Sequence, residues 1–249
     1  MIDFEKAKQE FMKYVSKFDT ENNQIQRKIG HSIRVMELSE KIAKRENFAQ
    51  EEIEIAKLIG LLHDIGRFEQ YTKYGTFSDI RSIDHGMLAV EILKKDEYIR
   101  KFIKEKKYDE IIMKAIKNHN QYGIEDGLNE REIKFCKLIK DADKIDILYQ
   151  GTEKFWQNET KKQEIENSIP SKEVWKEWKN KILIKNEAKS NELDHMIGMI
   201  SFIFDLNFRT SIEILKEKKY CEKIIERFDY KQEETREKIK EMKKEINEF

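Results

Sequence analysis

The segment Leu58-Ile59-Gly60-Leu61-Leu62-His63-Asp64-Ile65-Gly66 sets an imidazole and a carboxylate inside an otherwise apolar run. A run of this kind packs in an interior, where polar side chains removed from water must be paired or must bind a metal. The doublet therefore constrains the fold, because other segments have to bring partners to it. His31, His85 and His119, together with the acidic cluster Asp141-Ala142-Asp143, lie at intervals that let separate helices converge on the doublet. Neutral imidazole and carboxylate side by side make a first shell for a divalent transition metal.

Few residues interrupt the helices that such convergence needs. The 249 residues include 9 Gly and 1 Pro, and Glu, Lys, Ile and Leu abound, so helix is expected nearly throughout. Apolar spacing predicts helices over 3–17, 24–46 and 51–64, the second carrying His31 and the third ending at the doublet. Residues 67–80, with Phe68, Tyr71, Tyr74 and Phe77, are expected to form a packed loop. It could wall a pocket, with Tyr74 or Phe77 placed to stack on a base. Ser82 is the expected N-cap of a helix over 82–94, which puts His85 at its third position. Further helices are expected over 96–106, 109–119, 129–149, 190–217 and 219–248. The pattern is weaker between Gly151 and the pair Trp175 and Trp178. The chain thus divides at about Gly151. All the candidate ligands fall in 1–150, and 151–249 is expected to be a helical extension packed on that part.

Composition narrows the partners. Lys+Arg 49 balances Asp+Glu 49, so no global field draws the chain to nucleic acid or to a membrane surface. The longest apolar run, Met196 to Phe204, falls well short of a membrane span of about 20 residues. Met1-Ile2-Asp3-Phe4-Glu5 has neither the basic nor the apolar region of a secretory signal. Cys136 and Cys221 lack CxxC partners, which argues against a disulfide framework or zinc ribbon and fits reduced thiols in the cytoplasm. His195 is read as structural or at a pocket edge, the three tryptophans as core or helix-contact residues, and the Lys/Glu-rich end as a solvated helix face.

On these residues the chain resembles the HD superfamily of metal-dependent phosphohydrolases, in its HDIG form. The family pattern is a His in one helix, a His-Asp doublet at the end of the next, and a distal Asp in a later helix. Here these match His31 in Ile29-Gly30-His31-Ser32-Ile33-Arg34-Val35, the doublet His63-Asp64 before Ile65-Gly66, and Asp143 in Asp141-Ala142-Asp143-Lys144-Ile145-Asp146. The family's distal acid usually follows an Ala and precedes a basic residue, which favours Asp143, with Asp141 the alternative. Members with two metals also place a His in each of the segments that hold His85 and His119. Gln121-Tyr122-Gly123 stands where the HD-GYP type has Gly-Tyr-Pro, which speaks against cyclic di-GMP hydrolysis.

The resemblance covers about residues 25–150 and implies an all-α, HD-domain-like helical bundle with a C-terminal helical extension. It implies one divalent ion on His31, His63, Asp64 and Asp143, and a second on Asp64 as a bridge, His85 and His119. Mn, Fe or Mg is favoured, and Zn or Ni is compatible. The implied activity is hydrolysis of a phosphate ester, as a phosphomonoesterase or phosphodiesterase on a nucleotide or similar small phosphorylated metabolite. Metal-generated hydroxide would attack phosphorus. Asp64 would orient it, and Lys144 or Arg67 would offset phosphoryl charge. Arg34 and Arg81 are weaker candidates for phosphate contact, and Asp84 is a candidate outer-shell carboxylate. The alternatives are a di-iron oxygenase of the same ligand order and a non-catalytic metal-stabilised sensor or adaptor. A homo-oligomer is compatible with all three.

Overall fold

The computed structural model describes residues 2–153 and 155–249, and among them there are helices and connecting turns but no strands. They form two compact units, one ending at Asp143 and the other running from Lys144 to Phe249.

The first unit is built around an apolar helix. Helix α1 spans Phe4–Val15, α2 Asn23–Arg45 and α3 Gln50–Leu62. Asp3 and Asn22 start the first two by accepting hydrogen bonds from the Lys6 and Gln24 amides. In α3, Ile53, Ile55 and Ala56 are buried, and from Leu58 to Leu62 every residue is buried, so its C-terminal half is covered on every side and reads as apolar rather than amphipathic. It packs along α2. Gly60 permits the close crossing, since a Cβ there would lie 2.8 Å from the Met36 Cα and 2.9 Å from the Val35 carbonyl oxygen.

Helix α3 closes at Leu62, with His63 as its C-cap, and α4 begins almost at once at Gly66–Tyr74. The loop expected over 67–80 is thus helical in its first half. Phe68, Tyr71 and Tyr74 are helix residues, with Phe68 fully buried against Phe11, ring centroids 5.8 Å apart, while Phe77 follows the helix. Gly75, with φ +67°, ends the helix in the left-handed conformation that Gly adopts without strain. Helix α5 is His85–Lys94. Its N-cap is Asp84, whose carboxylate accepts from the Met87 amide. Ser82 is not the cap, because its hydroxyl is spent on the Ser78 carbonyl and on Gln70. Residues 95–101 are 3-10 rather than α-helical, broken by Asp96 and Glu97 at φ +51° and +50°. Helix α6 is Asp109–Asn118, and α7 is Glu130–Glu153.

In the second unit, α8 is Glu159–Asn167, α9 Lys172–Lys179, α10 Glu192–Ile200, α11 Arg209–Lys218, α12 Tyr220–Ile225 and α13 Glu233–Glu248. The single helix expected over 190–217 is two. Ser201 turns its hydroxyl back to the Gly198 carbonyl, and the chain tightens to 3-10 over Ser201–Asp205 before α11 begins. The helix expected over 219–248 is likewise divided between α12 and α13. Trp178 is wholly buried, and its indole N–H donates to Glu245 Oε2 at 2.6 Å, which ties α9 to α13. No helix among the described residues is long and apolar enough to cross a membrane.

Candidate metal centre

Four elements of the first unit each deliver one imidazole. His31 lies mid-way along α2, His63 caps α3, His85 opens α5 and His119 caps α6. All four are at most 4 % exposed. Gly66 explains how α5 comes so near the doublet: a Cβ there would stand 2.5 Å from the His85 carbonyl oxygen and 2.8 Å from the Ala89 nitrogen.

The imidazoles meet in two pairs. His31 Nε2 is 3.1 Å from His63 Nε2, and His85 Nε2 is 2.9 Å from His119 Nε2. Asp64 stands between the pairs. Its Oδ2 faces His31 at 3.3 Å and His63 at 3.7 Å, while its Oδ1 faces His85 at 3.4 Å and His119 at 3.6 Å. Asp143 Oδ1 joins the first pair, 3.1 Å from His31 and 3.7 Å from His63. His31, His63 and Asp64 thus make one group able to hold an ion, and Asp64, His85 and His119 make a second.

The chemistry of the donors fits a metal. His63 Nδ1 donates to the Gly60 carbonyl at 2.8 Å, and His119 Nδ1 to the Ile116 carbonyl at 2.6 Å. A carbonyl only accepts, so both Nδ1 atoms carry the proton and both Nε2 atoms keep a lone pair. His85 Nδ1 lies 2.6 Å from Asp79 Oδ2, the same arrangement with a carboxylate as acceptor. Lone pairs facing each other at 2.9 Å repel unless a cation lies between them. With nitrogens 3.1 and 2.9 Å apart, each pair would be able to share one ion.

Comparison with family models matches residues 29–148 to the HD domain. The chain carries an HD domain. The family consists mostly of metal-dependent phosphohydrolases. Comparison with curated proteins and with solved structures gave no match. The match begins two residues before His31 and ends five after Asp143, so it spans every residue of both ligand groups.

Electrostatics keeps the HD-domain ligands in their binding forms. Burial pushes the His63 imidazolium pKa down. Burial and then the nearby Arg67 charge bring His85 down to about 4. Burial alone would raise Asp64 and Asp143. For Asp64 it is outweighed by the Lys28 ammonium and the imidazoles, and for Asp143 by His31 and His63, so both carboxyls lie well below their ordinary value. At neutral pH His63 and His85 are neutral and both carboxylates ionised, as metal binding requires.

The remaining candidates separate. Arg67 sits beside the centre, its Nε 3.5 Å from Asp64 Oδ1, but its Nη1 is held by Asp79 Oδ1 at 2.8 Å, by Gln70 and by the Phe77 carbonyl. Lys144 belongs to the second unit, where its ammonium pairs with Asp205 Oδ2 at 2.8 Å. Asp84 is the cap of α5 and is bound by Asn120 and Gln121, so it is not the carboxylate behind His85. That carboxylate is Asp79, which also accepts from Gln70 and Asn120. Sequence reasoning missed Asp79 and also Lys28, whose Nζ is 2.7 Å from Asp64 Oδ2. Lys28 lies three residues before His31, on the same helical face, and that spacing was the available signal. Phe77 stacks on Tyr71 rather than standing free, Tyr74 is 40 % exposed, and His195 is exposed on α10.

Proposed function

We propose that this HD domain hydrolyses a phosphate ester of a nucleotide or related small metabolite with the help of two divalent ions. The observation that carries the reading is the single carboxylate with one pair of imidazole nitrogens facing each of its oxygens. His31, His63, Asp64 and Asp143 would hold one ion, and Asp64, His85 and His119 the other. Ligands of nitrogen and carboxylate oxygen without thiolate suit Mn, Fe or Mg, and accept Zn or Ni. Bound divalent ions supply an acidified water and polarise a phosphoryl oxygen.

The protein's own groups do the positioning. Asp64 spans both ligand groups and fixes their separation. The Gly60 and Ile116 carbonyls and Asp79 hold three imidazoles by their Nδ1 protons, so that the lone pairs cannot turn away. Arg67, whose Nε lies 3.5 Å from Asp64 Oδ1, would offset charge on the transferring phosphoryl group. No separate covalent nucleophile is needed.

The test is a panel of phosphomonoesters and phosphodiesters assayed for phosphate release by metal-free protein reloaded with Mn²⁺, Mg²⁺, Fe²⁺, Zn²⁺ or Ni²⁺. Turnover should require metal, and His63→Ala or Asp64→Ala should reduce it by at least a thousandfold. Phosphate release that survives full metal removal contradicts the proposal. Oxygen-dependent turnover with iron, and no phosphate release with any ion, would replace it with the oxygenase reading.

A further inference from the structure

Three cations surround one aromatic ring beside the candidate centre. Lys28 Nζ is 5.3 Å from the Phe77 ring centroid, Arg27 Cζ 5.8 Å and Arg67 Cζ 5.9 Å. Like charges gathered at such range repel, and they persist where anions compensate them. Arg67 has a compensating anion outside the ligand groups, Asp79 at 2.8 Å. Lys28 does not. Its carboxylate partner is Asp64, through Oδ2 at 2.7 Å, and that oxygen also faces His31 and His63.

An ion held by His31, His63 and Asp64 would thus compete with Lys28 for one oxygen. A carboxylate oxygen that binds a divalent ion loses most of its attraction for an ammonium, and the ion's own charge repels that ammonium. The lysine stem is flexible, and 16 % of the side chain is exposed, so the ammonium can swing away while α2 stays in place. It would stay beside the Phe77 ring, which the Arg27 and Arg67 guanidiniums also approach.

We propose that Lys28 serves two anions in turn, holding Asp64 in the metal-free protein and binding a phosphoryl oxygen of the ligand once metal is loaded. The inference rests on the metal-dependent reading above and deepens it. The ligand class is a phosphoryl group, whose charged oxygens neutralise the displaced ammonium. Lys28 is then a ligand-binding residue and also a built-in counter-ion that keeps the empty carboxylate paired.

Calorimetric titration separates the two halves of this claim. Metal-free wild type and Lys28→Met are titrated with Mn²⁺, and the Mn²⁺-loaded proteins are then titrated with inorganic phosphate. Lys28→Met should bind Mn²⁺ at least as tightly as wild type, because the competing cation is gone. It should bind phosphate about tenfold to a hundredfold more weakly, the range for loss of a charge-assisted hydrogen bond. Lys28→Arg should restore most of that affinity. Lys28→Gln, which keeps a polar tip without charge, serves where Lys28→Met does not fold. Weaker Mn²⁺ binding by a folded, uncharged variant would overturn the proposal, since the lysine would then merely support Asp64. Unchanged phosphate affinity would also overturn it, as would wild type that binds Mn²⁺ but no phosphate. Wild type that takes up no Mn²⁺ would sink the underlying metal reading, and this proposal with it.

Discussion

A buried imidazole protonated on Nδ1 must give that proton to an acceptor, and that need sets where the other nitrogen points. For His63 and His119 the acceptor is a carbonyl three residues back in the same helix, so helix geometry alone aims the lone pair. His85 opens its helix and has no preceding turn to use, so Asp79 supplies the acceptor from the turn between α4 and α5. Asp79→Ala should therefore weaken ion binding at the His85–His119 side about tenfold to a hundredfold, the usual cost of losing an outer-shell partner, and leave the His31–His63 side nearly unchanged. Equilibrium titration with Mn²⁺ reads this as loss of one class of sites, and two undisturbed classes would contradict it. The ligands themselves were legible because histidines and aspartates are conspicuous against apolar helices. Asp79 and Lys28 were not, because their roles depend on turns and rotamers, and in a chain with 49 acidic and 49 basic residues no single charge stands out.

At the scale of elements, close approach of helices builds the site, and glycines permit it. Gly66 sits where α4 meets the start of α5, and an added Cβ would meet backbone atoms that cannot rotate aside. Gly66→Ala should lower stability by about 1–3 kcal/mol, as overpacking does, read as a lower urea midpoint. It should also weaken metal binding at His85. An unchanged midpoint would mean that the helices separate without strain. Most helices of the first unit could be read from apolar spacing and caps. The boundaries that could not were decided by local hydrogen bonds. Ser82 and Asp84 are both good caps in sequence, and the competing demands of Ser78 and Gln70 on Ser82 chose between them. The same holds for Ser201, which divides an apolar run that spacing alone would continue.

For the molecule as a whole, both cysteines report on the integrity of their units. Cys136 is buried in the first unit and Cys221 in the second. Burial pushes each thiol up to about 12 from an ordinary value of 9.0. A thiol held neutral in the fold favours the folded state fully below pH 9. That contribution falls as pH rises from 9 toward 12, because the unfolded chain ionises first. Stability to urea should decline above pH 9, and native protein at pH 8 should react with thiol reagents only as fast as its units open. Rapid labelling of both thiols in the native protein would contradict this. The all-helical class and the convergence of distant imidazoles were readable from composition and spacing, and the HD-type front part from its resemblance to the family. The grouping of those imidazoles in two pairs about Asp64 came from the family resemblance and not from spacing, since it depends on how four separate elements pack.

Metal stoichiometry and affinity decide whether Asp64 joins two ion sites, compared for wild type and Asp64→Ala by titration of metal-free protein with Mn²⁺ and elemental analysis after gel filtration. Asp64 is the one carboxylate shared by both ligand groups. Wild type should retain two ions per chain, and Asp64→Ala, though folded, should retain none at protein concentrations where wild type is saturated. Equal retention by the two proteins would contradict the central claim.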